Sequence, residues 1–142
     1  MSEVRQVVVC LPGAPYGLGA PKDVNLVLQY QNLAAAGTTG VLDCQPIDLS
    51  YGARDLMLTV YIEYHAAAVA GARIHLITAS VDIPAYYDTV PWNSWTLAFV
   101  AGGSLQQSMN WEDDPAFIRV LVENLDAAQV LPYVDVIATV GW

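Results

Sequence analysis

Hydrophobic and polar residues alternate with period two along most of this chain. In DLMLTVYIEYHA, Leu56, Leu58, Val60, Ile62 and Tyr64 fall on one face, with Thr59, Glu63 and His65 on the other. ARIHLITAS sets Arg73 and His75 against Ile74 and Leu76, and SWTLAFVA puts Trp95, Leu97 and Phe99 on one side. AFIRVLVEN opposes Ile118, Val120 and Val122 to Arg119 and Glu123, and YVDVIATV opposes Val134, Val136 and Val140 to Asp135 and Thr139. Successive side chains of a strand point to opposite faces, so each run predicts a strand with one buried side. Nearer the start, VRQVVVCL and VNLVLQYQ are rich in β-formers, the second with Val24, Leu26, Leu28 and Tyr30 in phase.

Turn signals punctuate these runs: AAAGTTG, SYGAR, VAGA, AGGS, WEDDP and NLDAAQ. Gly, Pro, Asn and Asp at such intervals suit short connections between antiparallel strands. Neither AAA run, at 34–36 or 66–68, continues an apolar face at helical spacing. The prediction is an all-β fold, an antiparallel β-sandwich of jelly-roll-like form.

Residues 12–23, PGAPYGLGAPKD, stand apart through their density of proline and glycine. Ahead of them lies a strand-like segment, residues 3–11. A strand on such a linker can lend itself to a neighbour's sheet edge, where main-chain hydrogen bonds supply affinity, or fold back onto its own sheet. The organisation read from this is an N-terminal arm and linker over 1–23 and a sandwich over 24–142. The arm is extended, and the terminal DVIATVGW is a second candidate arm. The expected contact residues are Val4, Val7, Val9, Leu11, Tyr16 and the terminal ring of Trp142, an apt anchor for a partner's pocket.

Composition sharpens the expectation of partners. The chain of 142 residues is 55% hydrophobic and 13% charged, with mean hydropathy +0.39; soluble domains usually carry about a quarter charged residues. The apolar runs are broken by polar residues too often to span a membrane, so burial between subunits is the expected destination. Net charge is −9, with Lys22, Arg5, Arg54, Arg73 and Arg119 the only Lys and Arg cations. Five scattered cations do not form the cluster that a phosphate backbone needs, so no nucleic-acid partner is expected. The N-terminus lacks a basic region followed by a long apolar run, which implies synthesis in the cytoplasm. There Cys10 and Cys44 are expected as free, buried thiols.

No motif for chemistry emerges. His65 and His75 fall on adjacent predicted strands of one hairpin, on the polar side, where two imidazoles with Glu63 make a poor metal site. WEDDP reads as a solvated turn rather than a calcium loop, since its ligand order fits none. Glu63, Glu123 and Asp135 all take the outward phase, which does not build a paired-carboxylate cleft. No nucleophile elbow, thiol–histidine pairing or phosphate loop is present. The expectation is no enzyme, no cofactor and no metal. AYYDTVPWNSWTLAF concentrates rings: Trp95 belongs to a buried strand face, whereas Tyr86, Tyr87 and Trp92 lie in a loop with Pro84 and Pro91. Loop rings beside Asp88 and Asn93 suit sugar stacking; they equally suit a plug for the sandwich or a subunit contact.

From PIDLSYGARDLML onward, over about residues 46–140, the chain resembles a group of bacteriophage virion proteins. The carriers are Asp-Leu-Ser before a turn and a Leu/Val-rich strand, a Gly-containing turn, and the later AFIRVLVENL. SVDIPAYYDTVPW replaces that group's usual loop, and residues 1–45 lie outside the resemblance. The resemblance implies a non-enzymatic virion structural protein, most like a capsid decoration (cement) protein. It further implies a homo-oligomer, preferably a trimer, bound to the major capsid protein on the capsid surface and made in the host cytoplasm. A carbohydrate-binding module using Tyr86, Tyr87 and Trp92 is the alternative.

Overall fold

The computed structural model describes residues 6–9, 22–50, 52–53, 55–112 and 115–141. Among these, nine strands form two antiparallel sheets: β1 (Gln6–Val9), β2 (Lys22–Leu33), β3 (Ile47–Asp48), β4 (Asp55–Glu63), β5 (Ala72–Ala79), β6 (Asn93–Leu97), β7 (Ser104–Trp111), β8 (Phe117–Asn124) and β9 (Leu131–Gly141). One sheet has the order β1-β2-β9-β4-β7 and the other β3-β8-β5-β6. From β2 onward each connection passes from sheet to sheet, except β5 to β6, which stay together. Eight strands wound this way are a jelly roll, with β1 added at one edge. Two single 3₁₀ turns, Val41–Asp43 and Pro84–Tyr86, are the helical elements described.

Alternation explains the packing. β4 sends Leu56, Leu58, Val60 and Ile62 inward, all at 2% exposure or less. Ile74 and Leu76 of β5, Val120 and Val122 of β8, and Val134 and Val136 of β9 meet them in one continuous core. Burying each such side chain stabilises the fold by roughly 1.5–3 kcal/mol before entropy is charged against it. At one flank Trp95 of β6 and Trp111 of β7 close the layer edge to face, with centroids 6.2 Å apart. At the start of β5, Gly71 is required by space: a Cβ there would overlap the Leu97 carbonyl oxygen.

Several expectations change. A bulge in β2 between Leu26 and Leu28 shifts its register against β9. Leu28 therefore faces the core with Val27 beside it, while Val24 and Leu26 lie on the other side of the strand, half-buried. β6 ends at Leu97, so Phe99 leaves the strand and is 43% exposed. His65 follows β4 and His75 lies in β5, on opposite sheets; the expected hairpin and its histidine pair do not form. Between the AGGS and WEDDP turn signals, where alternation predicts no strand, lies the edge strand β7.

The N-terminal strand lies at home. Gln6–Val9 pairs antiparallel with Lys22–Asn25, Val7 opposite Val24 and Val9 opposite Lys22. The described part of the expected arm is thus the fifth strand of its own sheet, the fold-back of the two arrangements considered. The second expected arm, DVIATVGW, is instead the end of the central strand β9, paired on both sides by β2 and β4 up to Gly141 with Val136, Ala138 and Val140 buried in the core. Val4, Leu11, Tyr16 and Trp142 lie outside the described residues.

Candidate functional site

Loops carry function because rigid sheets can hold them in place, and the loop 80–92 between β5 and β6 is held unusually well. Arg119 takes the outward phase of β8, yet only 9% of its side chain is exposed. Its guanidinium donates to the carbonyls of Val41 (3.0 Å) and Cys44 (2.6 Å) and to Asp82 Oδ1 (3.1 Å). It also lies 5.3 Å from the centre of the Tyr87 ring. Tyr87 in turn donates its hydroxyl to the same Asp82 oxygen at 2.9 Å. Burial, together with that carboxylate, pushes the Tyr87 hydroxyl up to about 12. Beneath the ring, Ile77 and Ala79 form a second apolar cluster on the outer side of β5, packed by Val41, Phe117 and Leu121. At the far end the Asp88 amide donates to the Thr78 carbonyl, and Pro84 opens the 3₁₀ turn.

A loop anchored from below presents its other side outward. Val81 (42%), Ile83 (48%), Tyr86 (64%) and Val90 (74%) are exposed. Leu42, 74% exposed, sits on the 41–43 turn that the same arginine ties down. Large apolar side chains grouped on a fixed loop are the composition of a contact surface, and fixing them beforehand lowers the entropy lost on binding.

The three rings considered for sugar stacking are separated by the fold. Tyr87 is enclosed, at 6% exposure. Trp92 is half-buried against the main core. Tyr86 alone presents a free face. The predicted Trp95 core position holds, at 5% exposure.

A second arrangement was invisible in the sequence. On the outer face of the smaller sheet, His75 Nδ1 lies 2.8 Å from Ser94 Oγ, and His75 Nε2 lies 2.9 Å from Glu123 Oε1. Arg73 Nη1 stands 4.0 Å from the same Glu123 oxygen, and its Nε donates to Thr96 Oγ1 at 3.0 Å. Sheet order β8-β5-β6 brings these groups together. Serine, imidazole and carboxylate in a hydrogen-bond chain are the parts of an acyl-transfer triad. An oxyanion hole is the further requirement. Backbone N–H groups in a sheet lie in its plane, directed at neighbouring strands, and so do not aim at an oxyanion above the face. The chain of bonds ties three strands together.

On the opposite outer face, Tyr61 and Tyr133 meet edge to face with centroids 6.1 Å apart. Tyr61 donates to Glu63 at 2.9 Å and Tyr133 to Asp135 at 3.1 Å. Burial raises the Asp135 carboxyl above its ordinary range. A separate concavity of about 640 Å³ is lined by Leu49, Ser50, Gly52, Ala53, Asp55, Glu112, Pro115 and Ala116. It brings Glu112 of the acidic turn near Asp55; Asp113 and Asp114 lie outside the described residues. Among the described residues, no group of three metal-ligating side chains converges.

No family model matches the chain, and no curated protein matches it significantly. Solved structures similar to it include a chain of the disulfide-linked pili of Bacillus endospore appendages, at 12% identity, TM-score 0.42, and 96% of this chain against 89% of that one. The K1 cleaved adhesin domain of Lys-gingipain from Porphyromonas gingivalis W83 is similar at 13% identity and TM-score 0.42, over 86% and 64% of the two chains. A carbohydrate-binding module of Cellvibrio mixtus lichenase 5A, in complex with cellotriose, is similar at 7% identity and TM-score 0.42, over 94% and 85%. At these scores the likenesses bear on no functional point.

Proposed function

We propose that this chain is a non-enzymatic structural protein that works by protein–protein contact. In the specific form that the virion resemblance implies, it is a decoration protein that assembles with copies of itself and clamps a capsid surface. What supports the reading is the loop 80–92: an apolar outer side on Ile83, Tyr86 and Val90, held by Arg119, Asp82 and Tyr87 underneath. Such a surface gains affinity from burial, at roughly 25 cal/mol per Å² before association costs are subtracted. Val4, Leu11, Tyr16 and Trp142 belong to the same proposal as further contacts.

The test replaces Ile83, Tyr86 and Val90 together by serine and measures binding to capsids lacking decoration. Retained folding with lost attachment supports the reading; unchanged attachment removes the loop from it. A glycan array probes the carbohydrate alternative, for which Tyr86 is the remaining exposed ring.

A further inference from the structure

Among the described residues the two sheets have four edge strands, and three of them are blunted in the ways that proteins use to prevent unwanted strand pairing. β1, the edge opposite β7, is four residues long; past its end β2 carries a bulge and receives the Gln45 amide on its Val27 carbonyl at 2.7 Å. β3 is two residues long, and the 37–39 segment bonds to β8 beyond it. β6 is five residues long and follows Pro91. β7 is the exception. It runs for eight residues in unbroken register with β4, from Ser104 opposite Glu63 to Trp111 opposite Leu56. It contains no proline, no bulge and no charged side chain, in a chain whose net charge is −9.

We propose that the outer edge of β7, which no strand among the described residues pairs, pairs with β7 of a second copy about a two-fold axis through Ser108. The inference rests on the assembly reading above and names one of its contacts. Residues opposite each other in an antiparallel pair point to the same face, and a two-fold at Ser108 satisfies this at every position. On the core side, Leu105 then meets Trp111 and Gln107 meets Met109 of the partner copy. On the outer side, Gln106 meets Asn110 and Ser108 meets itself. The strand is self-complementary in this register: apolar ends oppose each other, amides oppose each other, and no like charges are brought together within the strand.

Exposure agrees with a missing neighbour. Gln107 and Met109 have the core-facing phase, opposite Val60 and Leu58, which are fully buried. Yet both are exposed, Met109 at 36%, because the short β6 does not cover them. A second β7 would extend the larger sheet into a continuous ten-stranded one, setting the partner's side chains beside these positions and giving backbone partners to the outer edge of β7. The pair is a two-fold contact, separate from the trimer that the resemblance implies.

The experiment uses sedimentation velocity on the full chain and on Ser108→Lys and Ser108→Glu. Ser108 is exposed and bonds only Thr59 Oγ1 across the sheet, at 2.8 Å, so both variants keep the fold, which circular dichroism checks. Each variant alone places like charges directly opposite one another, and the dimer weakens about tenfold or more. An equimolar mixture of the two places opposite charges at that point and regains association. If the full chain assembles and both variants assemble equally well, the β7 pairing is overturned while the assembly reading stands. If the full chain is monomeric throughout the micromolar range, both fall.

Discussion

Replacing Arg119 by methionine isolates the element that holds the candidate contact loop. Methionine keeps most of the aliphatic stem and removes the guanidinium. Three acceptors lose the guanidinium: the Val41 and Cys44 carbonyls, and Asp82 Oδ1, which keeps the Tyr87 hydroxyl. Hydrogen bonds to a charged group are each worth about 1.5–3 kcal/mol, but they share one donor group and do not add. The Asp82 side chain is 31% exposed, so solvent screens its share. Arg119 Nε is buried with no partner, and losing that desolvated donor offsets part of the damage. The net loss is about 2–3 kcal/mol. For a domain of this size about 0.3 kcal/mol per degree applies near the midpoint, so Tm falls by roughly 6–10 °C. Thermal denaturation measures this, and hydrogen exchange on the 82–88 amides reports the loop directly. Asp82→Asn costs less alone, and the double variant is less damaging than the sum of the two. A loss under about 0.5 kcal/mol for Arg119→Met, or strict additivity with Asp82→Asn, refutes the reasoning.

Three further outcomes are expected. Burial pushes the Cys44 thiol up to about 12, so native protein resists alkylation at Cys44 at mildly basic pH; peptide mapping after iodoacetamide shows it, and rapid native labelling contradicts it. Asp126 accepts amides from Val69 (2.9 Å), Ala128 (2.9 Å) and Gln129 (3.0 Å), and these bonds, led by Val69, hold its carboxyl below the ordinary carboxylate range. A depressed folded-state pKa gives stability that is present above the unfolded value and is lost as pH falls through the folded one. Asp126→Asn therefore flattens the acid limb of a stability–pH curve, and an unchanged limb speaks against the bonds. Finally, Ser94→Ala leaves hydrolysis of an activated ester at the background rate of the native chain; turnover that depends on Ser94 makes the Ser94–His75–Glu123 chain catalytic.

The legible parts of the fold were those with a buried face and a regular repeat. β4 reads directly because Leu56, Leu58, Val60 and Ile62 keep phase throughout. β2 reads as a strand, but its bulge moves Leu28 into the core phase and leaves Val24 and Leu26 in the other, which no period-two pattern can show. β7 escapes because only its ends, Leu105 and Trp111, pack against the core, and the Ser, Gln and Asn between them show no apolar alternation. At the contact loop, the ring cluster was visible and its division was not. Tyr87 is buried because Arg119, far away in sequence, rises beneath it, and an arginine on an outward phase reads as a solvated cation. The Ser94–His75–Glu123 chain depends on sheet order, which composition does not carry.

The central claim is that this polypeptide completes its surface only with other chains. Light scattering of the purified full chain across the micromolar range tests it most directly. The account expects a mass above that of one chain that rises with concentration and falls when Ser108 is made charged. A single-chain mass at every concentration contradicts it.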